Sequence, residues 1–119
     1  MILFAKIMIA FVAIEHLYFL WLEMVAWTTA ARKVFPLPKD LFEPTKVLAA
    51  NQGLYNGFLV AGLVWSLLIT DEVWAKNVAI FFLGCVIVAG VYGGISASKR
   101  IFYFQAVPAI IALALVLFL

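Results

Sequence analysis

The sequence predicts an all-α membrane protein, a four-transmembrane-helix bundle with the N and C termini outside, and three observations carry that prediction. Hydrophobic residues make up 68% of the chain and charged ones only 12%, with a mean hydropathy of +1.18, so too little polar surface exists to cover a water-soluble domain. The apolar runs are long and unbroken rather than alternating, which selects helices over a closed barrel as the way to satisfy backbone polar groups in hydrocarbon. About 20 apolar residues cross a bilayer. The 119 residues divide at their polar and proline-rich interruptions into four such runs, read as a single integral-membrane domain, 1–119.

The first expected span covers residues 2–31 and is longer than a bilayer needs, so it tilts or projects a turn past the lipid. A cleaved leader is not expected: the run is too long, carries Glu15, His16 and Glu23, and ends in the stop-transfer flank Arg32-Lys33. The connection that follows holds Pro36, Pro38 and Pro44 among Phe35, Leu37, Leu41 and Phe42. It reads as a half-apolar segment that lies on the membrane surface or roofs the bundle.

The second span, 44–69, opens on Pro44 at a helix-entry position. Ala49, Gly53, Gly57 and Ala61 recur at every fourth residue and form a stripe through which two membrane helices approach closely; a homodimer through that stripe is one expected use. A short polar loop leads to the third span, 73–97, with its own small pair, Gly90 and Gly94. The fourth, 101–119, contains Gln105 and Pro108, where the proline bends the helix or frees a carbonyl.

Charge sets the expected orientation. Arg32, Lys33, Lys39, Lys46, Lys99 and Arg100 fall at one end of such a bundle, and only Lys6 and Lys76 at the other. The positive-inside rule places the first set in the cytoplasm. A net charge of +2 without a basic run interleaved with aromatics excludes nucleic acid as a partner; the lipid bilayer is the expected one. Cys85 is the lone cysteine, so it forms no internal disulfide and reads as a small apolar side chain.

The stretch Glu15-His16 to Glu23 is the main functional clue, because an ionisable group at bilayer depth costs at least ~2.5–3.5 kcal/mol and therefore faces a bundle interior or cavity. His16 and Glu23 are seven residues apart and share a helix face. With alternating span directions, Glu15, His16, Glu23, Asn51, Gln52, Asn56, Tyr92 and Gln105 all fall in the cytoplasmic half, where they are expected to converge on one polar pocket. In that reading Glu15, His16 and Glu23 are the catalytic residues, with Glu15 or Glu23 the acid or base and His16 its proton partner. Asn51, Gln52, Asn56, Tyr92 and Gln105 orient a small lipophilic ligand, and Trp27 with Tyr18, Trp21 and Tyr55 lines its apolar part.

Other readings stay open. One is a proton- or ion-coupled carrier, marked by a continuous polar path; another is an accessory subunit whose polar residues only hold helices together. A metal site on His16, Glu15 and Glu23 is thin in ligands and lacks a repeated His or Glu-x-x-His spacing. No metal is assigned and no cofactor is named.

Several segments carry a family resemblance: Glu15-His16 with Leu22-Glu23-Met24, then Asn51-Gln52-Gly53-Leu54-Tyr55-Asn56-Gly57-Phe58, Ala89-Gly90-Val91-Tyr92-Gly93 and Gln105-Ala106-Val107-Pro108-Ala109. They resemble the hallmark positions of the bacterial family catalogued as domain of unknown function 1304, along nearly the whole chain. The resemblance implies a small four-span protein of the bacterial inner (plasma) membrane and no assigned activity. Two looser analogies concern chemistry alone. Glu15 is similar in placement to the first-span glutamate of small multidrug transporters, which lack this histidine and amide set. Emopamil-binding sterol isomerases also group histidine, glutamate and aromatics around a lipophilic substrate, without a shared motif.

Overall fold

The computed structural model describes residues 1–119, and its regular elements are all helical. They are α1 (Leu3–Met24), α2 (Ala31–Val34), a 3-10 turn (Lys39–Leu41), α3 (Lys46–Leu68), α4 (Glu72–Ser96) and α5 (Lys99–Phe118). The four long helices, α1, α3, α4 and α5, are each long and apolar enough to cross a membrane.

Short links force antiparallel neighbours. Asp71 begins α4 as an N-cap, its carboxylate accepting from the backbone N–H of Trp74 at 3.0 Å. Ser98 begins α5 in the same way, accepting from the N–H of Arg100 at 3.3 Å. The amino group of Met1 pairs with Glu72, which brings the start of α1 to the turn between α3 and α4. The helices thus form a ring in which α1 and α4 each pack against both α3 and α5.

The main core fills the end of this ring that carries Lys6 and Lys76. It consists of Ala5, Ile9, Val12 and Ala13 from α1, Leu63 from α3, Ala79, Leu83 and Val86 from α4, and Ala109, Ala112 and Val116 from α5. Many of these side chains are small, so the packing that drives helix association in lipid comes from close backbone approach rather than large apolar area. At the other end the first half of α5 leans on α4, where Gly90 admits the backbone of Ala106 and Gly94 admits Phe102.

Two local features differ from a plain four-span picture. The first helix stops at Met24 instead of running to Ala31, because the N–H groups of Val25 and Ala26 both turn back to the carbonyl of Trp21 at 2.9 and 3.0 Å. Side chains then take the carbonyls a helix would have used: Thr29 Oγ1 donates to Ala26, and Arg32 Nε donates to Thr28 at 2.6 Å. The chain folds back as a roof, with Leu22, Trp27, Ala31, Phe42 and Ala49 forming a second small core. The other feature is a π-turn over Phe102–Ala106. Pro108 explains it, since it lacks the N–H that would bond Phe104 and its ring crowds that carbonyl.

Candidate functional site

Helix α1 carries the carboxylates and the imidazole of the expected site. His16 is buried, 1% exposed, and its ring packs at a steep angle to that of Phe19 with centroids 5.3 Å apart. Its Nδ1 lies 2.9 Å from the carbonyl oxygen of Val12, one turn back. A carbonyl only accepts, so Nδ1 holds the hydrogen and, in the neutral ring, Nε2 keeps the free lone pair.

Glu15 is half-buried, and its Oε1 is shielded from solvent without any hydrogen-bond partner. The nearest cation-forming atom is Nδ1 of His16 at 4.0 Å, too far for a hydrogen bond and already committed to Val12. An unpaired buried carboxylate oxygen costs about 1–3 kcal/mol or more. It marks an open acceptor position.

Glu23 is satisfied differently. Asn56 Nδ2 on α3 donates to its Oε1 at 2.5 Å. The contact is possible because α1 and α3 lie close: a Cβ on Gly53 would fall 2.5 Å from Met24 Cγ and 3.1 Å from Glu23 Cβ, and one on Gly57 would fall 3.0 Å from Leu20 Cδ1. Gly53 is buried and Gly57 half-buried against α1 of the same chain, Ala49 is buried in the roof core, and Ala61 stays exposed.

The eight polar residues therefore do not share one pocket. Glu15 and Glu23 are separated by ~12 Å along the helix, with Leu20, seated on Gly57, between them. Asn51 and Gln52 are exposed, and the amide of Asn51 donates to its own helix at Val47, 2.9 Å away. Tyr92 is 72% exposed and points out of the bundle. Gln105 is half-buried inside the π-turn.

Trp27 is buried in the roof, its ring tilted against those of Phe35 and Phe42 at centroid distances of 5.1 and 5.0 Å. Its Nε1–H donates to Thr45 Oγ1 at 3.0 Å. Arg32 completes the roof from outside, over the Phe42 ring and bonded to the Lys39 carbonyl at 2.9 Å. Sequence reading overlooked Val12 and Thr45 as partners. The only available signals were the four-residue spacing of Val12 from His16 and the position of Thr45 directly before a helix. His16, Glu15 and Glu23 do not gather into a set of three possible metal ligands.

Four long apolar helices, with Glu15, His16 and Glu23 well inside the first of them, mark a multi-pass membrane protein. The chain belongs to the family described as "Protein of unknown function (DUF1304)", whose model matches residues 10–117. It is 30% identical over 105 residues to "Uncharacterized protein YpaA" of Lactococcus lactis subsp. lactis (strain IL1403), an alignment covering 86% of this chain and 87% of that one. No solved structure matches it.

Proposed function

We propose that this protein binds or chemically converts a small lipophilic molecule at an intramembrane acid–base site formed by Glu15 and His16. The observation that carries this reading is the shielded Oε1 of Glu15, which has no partner in the chain. A hydrogen-bond donor on a guest would complete it. His16 stands beside it with Nδ1–H held by Val12, so Nε2 is the proton-accepting position. Glu23 and Asn56 act chiefly to set the approach of α1 and α3. The protein resides in a bacterial plasma membrane with Arg32, Lys33, Lys39, Lys46, Lys99 and Arg100 in the cytoplasm and both termini outside, a placement supported by the positive-inside rule.

A coupled carrier is the weaker alternative. Past His16 the core residues Ile9, Val12, Leu63, Leu83 and Val86 are apolar, and the buried Ser66 spends its hydroxyl on the Leu63 carbonyl at 2.6 Å. That core supports no through-going polar path.

The test is an infrared pH titration of the wild type, Glu15→Gln and His16→Ala in nanodiscs, with thermal stability recorded for each. A carboxyl band that changes with pH in the wild type, vanishes in Glu15→Gln and moves in His16→Ala, with stability retained, is the expected result. Absence of such a band together with a large loss of stability in both variants would refute the acid–base reading in favour of helix-holding contacts.

A further inference from the structure

A groove of about 290 Å³ opens between the last turns of α4 and the first turns of α5, lined by Val91, Gly94, Ile95, Lys99, Phe102 and Tyr103. It lies apart from Glu15 and His16. The glycine shapes its floor, since a Cβ at Gly94 would meet Phe102 Cβ at 2.7 Å, and the π-turn begins at Phe102 in its α5 wall. The groove faces outward: Ile95 is 82% and Tyr103 63% exposed. In a membrane these apolar walls stand in acyl chains, while Lys99, at the helix start, stands at the headgroup level.

Lys99 is the single cation of the groove. Arg100 turns away from it, its guanidinium lying 5.8 Å over the Phe104 ring. No carboxylate lines the groove, and Lys99 takes part in no salt bridge. Arg32, Lys33, Lys39 and Lys46 add positive potential at this same end of the bundle. An apolar slot that ends at an uncompensated lysine, itself beside the N-terminal turn of a helix, complements an amphiphile with a negatively charged head.

We propose that the groove between α4 and α5 holds one anionic phospholipid, its phosphate on Lys99 and the upper part of an acyl chain along Val91, Ile95 and Phe102. A zwitterionic lipid fits the apolar wall equally well but brings its own cation towards Lys99. Charge, rather than chain, therefore sets the preference. The inference does not depend on the Glu15–His16 site.

The experiment is native mass spectrometry of the full chain released from mixed micelles containing phosphatidylglycerol and phosphatidylcholine with identical acyl chains. One retained phosphatidylglycerol is expected. Lys99→Gln should lower the retention ratio of the two lipids about fivefold, the effect of one lysine at an anionic membrane surface. Lys33→Gln removes a charge at the same end but outside the groove and should leave the ratio unchanged. Ile95→Trp, at a position exposed enough to accept a large side chain, should reduce retention of both lipids. Equal losses in Lys99→Gln and Lys33→Gln would overturn the proposal in favour of diffuse surface charge, as would a wild-type ratio near one. Displacement of the lipid by inorganic phosphate alone would overturn it too, since the site would then read only an anion.

Discussion

Gly84 and Gly90 lie inside the same helix, α4, and differ in what stands opposite them. A Cβ at Gly90 would fall 2.6 Å from the backbone nitrogen of Ala106, 2.9 Å from its Cβ and 3.0 Å from its Cα, whereas nothing lies within 4 Å of one at Gly84. Changing either glycine to alanine removes the same conformational handicap of glycine in a helix, about 0.5–1 kcal/mol in favour of alanine. That contribution cancels when the two variants are compared. What remains is overpacking at residue 90 against a backbone that has no rotamer to change, a cost of about 1–3 kcal/mol. Gly84→Ala should therefore match or slightly exceed the wild type, and Gly90→Ala should fall below Gly84→Ala by about 1–3 kcal/mol. Reversible unfolding by sodium dodecyl sulfate in mixed micelles, followed by far-ultraviolet circular dichroism, measures the difference. Adding Ala106→Gly to Gly90→Ala removes the Cβ contact but leaves the nitrogen contact, so recovery should be partial. Equal midpoints for Gly84→Ala and Gly90→Ala would refute the reasoning, because α4 and α5 would then not meet at Gly90 and Ala106.

Three further outcomes follow from the same geometry. Asn56→Leu leaves Glu23 without its donor and should cost about 1–3 kcal/mol in the same unfolding assay, while Glu23→Gln, which keeps an acceptor for Asn56, should cost less; equal losses would show that the pair does not meet. Trp27→Phe keeps the aromatic packing on Phe35 and Phe42 but loses the bond to Thr45, about 1 kcal/mol, against about 3–5 kcal/mol for Trp27→Ala; a roof loose enough to lie on the lipid would show neither. In a Cys85→Ser background, Lys33→Cys should react with a membrane-impermeant maleimide only after cells are opened, and Glu72→Cys in intact cells. The reverse pattern would invert the proposed orientation.

Much of this architecture was legible from residue order. Helices at the four apolar runs and the close approach of α3 at Gly53 and Gly57 follow from local composition and spacing. The shared face of His16 and Glu23 was legible too, but not the separation of their surroundings. Period and depth place residues at a level and on a face; they do not say which neighbour occupies that face. Thus Asn51, Gln52 and Tyr92 turn outward, whereas Asn56 turns in and reaches Glu23.

The end of α1 makes the same point. Residues 25–31 are apolar enough to continue a span, yet Thr29 and Arg32 side chains capture backbone carbonyls and Trp27 finds Phe35, Phe42 and Thr45, partners that come from beyond the turn. Sequence alone determined that this protein is a helical membrane protein with costly ionisable groups in its first span, because hydrocarbon penalises unsatisfied backbone and charge whatever the fold. Tertiary structure alone decided which of those groups are satisfied: Glu23 by an amide across the α1–α3 contact, His16 by its own helix, and Glu15 by nothing in the chain. Satisfaction depends on distances of a few tenths of an ångström between helices, and such distances are set by packing.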